Sequence, residues 1–120
     1  HQHVVTCASS FVQKAGVVAL KEEKNEVADM VKEYQRRRDY AVKAINEIDG
    51  LSCRCPKGAF YIFINIEKLG MSGQEFAPLL LENAKVAMVP GDIRMSFANS
   101  YENVVEGCKR LKEFVEKIRK

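Results

Sequence analysis

Histidine is nearly absent from this sequence. His1 and His3 are present, and none follows in the 120 residues. A Ser-His or Cys-His nucleophile pair of the usual kind therefore has no base. Long apolar runs are absent too. None approaches the ~18 residues of a transmembrane helix, so no membrane span is expected. The opening His1-Gln2-His3 lacks the basic-then-apolar layout of a signal peptide. No G-x-x-x-x-G-K-[ST] loop and no G-x-G-x-x-G turn occurs, which removes the usual nucleotide cradles. The cysteines, Cys7, Cys53, Cys55 and Cys108, form no C-x-x-C. Cys53 and Cys55 stand two apart in an expected strand, sharing a face without disulfide geometry. Zinc would require a second Cys or His pair at finger spacing, and there is none. Reduced thiols and a cytoplasmic location are expected.

What is present describes an ordinary globular domain. Hydrophobic residues make up 47% and charged residues 29%. A chain of this length buries roughly two thirds of its unfolded surface and folds without staples. The net charge is +3. That is mild for a nucleic-acid binder, which usually carries a clustered excess. The densest basic run, Arg36-Arg37-Arg38, meets Asp39 at once and reads as a solvated helix face rather than a phosphate patch.

Periodicity predicts the elements. A helix capped by Ser9 or Ser10 runs to Leu20, and Lys21 to Asn25 form a polar break. Val27, Met30, Val31, Tyr34, Arg38, Ala41, Ile45 and Ile48 make one stripe on a helix of about six turns. Arg38 interrupts the stripe, with its stem packed and its head at the edge. Asp49-Gly50 ends that helix. A short strand spans Leu51 to Cys55. The strand Ala59 to Ile66 is apolar on both faces, which predicts a central strand covered on both sides. Ser72 and Glu75 form a capping box for a helix that buries Phe76, Leu79, Leu80 and Ala84. Pro78 within it predicts a kink or a late start. Val86 to Val89 reads as a short buried strand. Ile93, Met95 and Phe97 alternate with Arg94, Ser96 and Ala98 in a further strand. Asn99 and Glu102 offer a capping box for the last helix, whose stripe is Val104, Cys108, Leu111, Val115 and Ile118. The class is α+β, in two layers: a small mixed or antiparallel sheet of about three or four strands packed by helices.

Two features bear on chemistry. Arg94 points away from the apolar face of its strand, where a guanidinium can grip a carboxylate with two parallel hydrogen bonds. A strand arginine reaching solvent or an internal acid is the plainer alternative. The segment Lys57 to Phe63 superficially matches an RNA-recognition strand, but Ala59 stands where a stacking aromatic belongs. Cys108, on an apolar stripe, reads as core packing.

Three ordered segments carry a family resemblance. They are Val5 to Ala15; Tyr34 to Asp39 with Pro56-Lys57-Gly58-Ala59-Phe60-Tyr61; and Val86 to Gly91 with Ile93 to Ser100. Together they resemble the C-terminal part of class I/II, fold-type I aminotransferases of the aspartate aminotransferase type, which use pyridoxal 5'-phosphate (PLP). The resemblance implies that Arg94 binds the α-carboxylate of an amino-acid substrate. It implies that residues 1–25 are an interdomain segment and helix, and that 26–120 form the small domain. It implies a large PLP-binding domain elsewhere in the enzyme, a homodimer, and a substrate pair of aspartate or an aromatic amino acid with a 2-oxo acid. No lysine here has the Schiff-base context of the family, so this chain alone is expected neither to hold PLP nor to transaminate. A small RNA-binding or protein-interaction α/β domain without catalysis is the rival reading. The family also has a longer, glycine-containing loop where only Asp92 joins Gly91 to Ile93. Either this is a true deletion, or the loop's residues are missing from the sequence. A continuous chain predicts a two-residue Gly91-Asp92 hairpin turn.

Overall fold

The computed structural model describes residues 7–21 and 26–119. Of the expected polar break Lys21 to Asn25, Lys21 belongs to the first helix and residues 22–25 lie outside the described residues. The elements are α1 (Ser10–Lys21), α2 (Glu26–Asn46), β1 (Ser52–Cys53), β2 (Tyr61–Asn65), a 3-10 turn (Glu67–Leu69), α3 (Gly73–Ala84), β3 (Ile93–Ser96) and α4 (Tyr101–Ile118). The chain divides into two units, His1–Met30 and Val31–Lys120.

The first unit holds α1 and the first residues of α2. No residue of α1 is buried, and Phe11 and Leu20 are 74% and 91% exposed. The second unit holds the core. Its sheet has the order β1-β2-β3 and is antiparallel throughout. β2 is central, as expected. In β2, Ile62 and Ile64 are buried; in β3, Ile93 and Met95 are buried. They join one cluster with Ala41 and Ile45 of α2, Phe76 and Leu80 of α3, and Val104, Cys108, Leu111 and Val115 of α4. Period-two alternation puts these strand residues on one face.

Several expectations need correction. β2 is covered on one face only: Phe63 stays 58% exposed on the other. Its aromatic residues satisfied an apolar pattern without being buried. The α2 stripe is buried only toward its end; Ala41, Ile45 and Ile48 are inside, whereas Val27, Met30 and Val31 are exposed. The helix stops at Asn46, before Asp49-Gly50. Asn46 explains the early stop. Its side chain donates to the Val42 carbonyl at 2.9 Å and to the Cys53 carbonyl at 3.1 Å, and accepts from the Cys53 N–H at 2.9 Å, tying the helix end to β1. The expected strand at Leu51–Cys55 shrinks to two residues. Val86 to Val89 forms no strand; only Val89 pairs, with Arg94. The turn before β3 therefore takes in Pro90, Gly91 and Asp92 instead of two residues, with Gly91 at φ +96°. Ser100, not Asn99, caps α4: its hydroxyl accepts from the Asn103 N–H at 3.2 Å. Asn99 instead accepts from the Ser100 N–H at 2.8 Å.

Other expectations hold. Ser72 and Glu75 form the reciprocal capping box of α3. Two expectations for that helix do not hold: it begins at Gly73 with no late start at Pro78, and Leu79, expected on its buried face, is 40% exposed. The Arg38 head reaches Asp39 at 2.7 Å, at the edge of the fold. All four cysteines are free thiols. Burial pushes the Cys108 thiol up to about 11, which suits core packing and not a nucleophile.

Candidate functional site

The uncovered face of the sheet carries Arg94, the candidate residue from the sequence. Tyr61 and Phe63 project there from β2, and Arg94 and Ser96 from β3, because their neighbours in sequence fill the core. The register pairs Phe63 with Arg94 and Tyr61 with Ser96. Arg94 is held from both sides. Its other neighbour is Val89, with Arg94 N donating to the Val89 carbonyl at 3.4 Å and Val89 N donating to the Arg94 carbonyl at 3.3 Å. The turn between them is seated on α3, since a Cβ at Gly73 would collide with the Gly91 carbonyl.

The Arg94 side chain leans diagonally onto Tyr61, with Cζ 4.3 Å from the ring centroid. The side chain is half-buried. Its Nε is buried with no hydrogen-bond partner, a singular case among the described residues. No acid among them pairs with it. A buried donor left unmade costs about 1–3 kcal/mol, more when charged. A carboxylate is the ligand that matches the guanidinium fork in shape and charge. An open groove of about 730 Å³ runs along β1 and β2, lined by Tyr61, Phe63, Asn65, Asp92, Arg54 and Cys55, among others, but not by Arg94 itself.

The other basic residues singled out from sequence are engaged. Arg36 and Arg37 both reach Glu33, at 3.0 and 2.8 Å. Arg36 also stacks on Tyr101 at 3.9 Å, and Arg37 lies 5.5 Å from the Tyr34 ring centroid. The Arg36 and Arg37 guanidiniums hold the Glu33 carboxyl below its ordinary value. This cluster serves the surface of the helix and is not an open phosphate patch. On the Lys57–Phe63 strand, Phe60 and Phe63 are exposed, but the Tyr61 ring is taken by Arg94 and by Phe60, whose centroid is 4.4 Å away. Among the described residues no three His, Cys, Asp or Glu side chains are placed to hold a metal.

Tyr61 is the site residue that sequence reasoning missed. Its position beneath Arg94 depends on the register of two strands, which neither strand reveals alone. Ala59 is a second omission. It adopts φ +58°, a left-handed conformation costly for a residue with a Cβ, just before Phe60 and Tyr61.

The residues do not fit a bound PLP. Among the described residues no charged residue is buried, so no lysine among them has the desolvated setting that tunes a Schiff-base amine. The orphaned atom belongs to an arginine suited to a carboxylate.

The family model "Aminotransferase class I and II" matches residues 2–111. A putative aminotransferase, YugH, of Bacillus subtilis is 43% identical across 98% of this chain and 32% of its own length. The aspartate aminotransferase of Pyrococcus horikoshii is 39% identical across 97% of this chain and 32% of its own. The crystal structure of an aromatic aminotransferase from Pyrococcus horikoshii superposes with a TM-score of 0.92 at 38% identity, over 98% of this chain and 34% of that one. The chain thus spans about a third of the length of these relatives. The Bacillus subtilis alignment covers 126 positions, but 98% of 120 residues is about 118, so about eight positions have no counterpart here. Members of this family use PLP. The chain belongs to the class I and II aminotransferases.

Proposed function

We propose that this chain is the small, substrate-carboxylate-binding domain of a PLP-dependent aminotransferase, with Arg94 as the clamp. The observation that carries this reading is the unpaired, half-buried guanidinium with its orphaned Nε on an open sheet face. Residues 26–120 are the small domain, and residues 1–25 lead into it. The large domain supplies the cofactor site and the Schiff-base lysine, and the full enzyme is a homodimer. Its substrates are an amino acid, aspartate or aromatic, and a 2-oxo acid. Its likeness to an aspartate and an aromatic aminotransferase supports that pair. The compartment is cytoplasmic, in keeping with four unbridged thiols.

PLP, held by the rest of the enzyme, supplies the electron sink for amino-group transfer. This chain's own contribution is orientation. Arg94 fixes the carboxylate common to amino acid and oxo acid, so the reacting end is presented in one geometry.

The test is kinetic. In the longer enzyme containing this chain, Arg94→Ala raises KM for amino acid and oxo acid by about 30-fold or more, following the 2–5 kcal/mol lost with a buried charge-assisted pair. Unchanged KM for both substrates contradicts the assignment.

A further inference from the structure

We propose that Tyr61 is a positioning residue: its ring is the platform that holds the Arg94 guanidinium in carboxylate-binding orientation. The inference rests on the reading of Arg94 as a carboxylate clamp. It adds a residue to which no role has been given.

The argument begins with register. Phe63 lies directly across from Arg94, and Tyr61 is its diagonal neighbour. Diagonal partners on one face are about 7–8 Å apart at the backbone, within reach of a long side chain. Arg94 bypasses the nearer ring. Phe63 remains 58% exposed, whereas the Arg94 Cζ sits 4.3 Å from the Tyr61 centroid. The choice has a structural reason. Tyr61 is braced on its other side by Phe60, at 4.4 Å and an interplanar angle of 47°. Phe60 is itself fixed, because its carbonyl accepts from the Phe97 N–H at 3.0 Å, and Phe97 is buried. The left-handed Ala59 turns the chain into this brace. Phe63 has no comparable ring contact among the described residues.

An unbraced arginine samples many rotamers and loses that freedom on binding. A guanidinium already resting on a braced ring loses less. The ring face also offsets part of the cost of a half-buried cation without using the donors that a carboxylate needs. An acidic partner would have stabilised Arg94 equally well, but it would occupy the fork. An aromatic platform holds the group and leaves its edge free.

The test uses the longer enzyme containing this chain, 15N-labelled, titrated with 2-oxoglutarate and separately with L-aspartate. Tyr61→Leu lowers carboxylate affinity about 3- to 30-fold, the range expected for a desolvated cation–π contact. Tyr61→Phe keeps the ring and stays within about twofold of wild type, since the face and not the hydroxyl is used. Arg94→Gln abolishes binding, which secures the underlying reading. If Arg94→Gln abolishes binding but Tyr61→Leu binds as wild type, the platform is refuted and the clamp survives. If Arg94→Gln leaves binding unchanged, the clamp itself fails. A Tyr61→Phe loss as large as that of Tyr61→Leu also refutes the platform. Should Tyr61→Leu not fold, the wild-type chain decides. Ring-current shifts move the Arg94 δ-methylene protons upfield if the ring lies beneath them, and random-coil shifts overturn the proposal.

Discussion

The two faces of the sheet are built from the same strands but obey different rules. On the covered face, Ile62, Ile64, Ile93 and Met95 are all buried and lie within one core. On the open face, Tyr61, Phe63, Arg94 and Ser96 include an exposed ring and a cation with an unmet donor. One face removes apolar surface from water and leaves nothing unsatisfied. The other keeps a cation with an unmet donor, at a cost in stability that the first face offsets. The division teaches that core packing and the proposed carboxylate site separate by residue parity along β2 and β3.

Substitutions can break that separation if it is wrong. The largest stability effect belongs to the covered face. Ile62→Ala removes a fully buried side chain from the central strand and lowers unfolding free energy by about 2–5 kcal/mol. Urea denaturation measures it, and the same variant, where folded, binds 2-oxoglutarate as wild type does. Gly73→Ala comes next. Its Cβ meets the Gly91 carbonyl, so the turn before Arg94 must shift, costing about 1–3 kcal/mol as an overpacked contact does. Unlike Ile62→Ala, it is expected to weaken carboxylate binding as well, through the displaced β3 start.

A smaller effect lies at the α3 cap. Ser72→Ala removes the hydroxyl that accepts from the Glu75 N–H and costs about 1 kcal/mol. The cap also has a pH signature. Hydrogen bonds from the Ser72 N–H and hydroxyl hold the Glu75 carboxyl below its ordinary value. Its contribution is therefore complete above the ordinary carboxylate pKa and fades as pH falls through the lowered value. Acid unfolding followed by circular dichroism should show a shallower slope for Glu75→Gln. The subtlest contrast is in thiol reactivity. Iodoacetamide at neutral pH labels exposed Cys55 and Cys7 first and Cys108 last, because burial keeps the Cys108 thiol protonated. Mass spectrometry finding Cys108 labelled early would contradict the packing of α4.

Sequence periodicity carried the helices and β3 well, and the reasons are local. The Ser72/Glu75 box is complete within four residues, and the α4 stripe repeats through Leu111 and Val115. Alternation over Ile93–Phe97 put Arg94 on the face opposite the core, where it lies. What escaped was whatever depends on a second segment. Hydrophobicity could not distinguish Phe63, exposed, from Ile62, buried, since both belong to apolar β formers and only the helices covering one side decide. Val86 to Val89 had strand composition but found a single partner in Arg94. Asn46 terminated α2 through contacts seven residues away, at Cys53. Tyr61 lay in plain view as an aromatic strand residue, but its function emerges only from the diagonal to Arg94.

If Arg94 is the proposed carboxylate clamp on the uncovered face, its own guanidinium is the most direct probe. Shielded from solvent, its Nε–Hε proton exchanges slowly enough to be followed by 15N NMR. Titration with 2-oxoglutarate should move that signal downfield in a saturable way and leave the Arg36, Arg37 and Arg38 signals in place. An Arg94 signal that stays fixed to saturating 2-oxoglutarate, or one that moves no more than those three, contradicts the account.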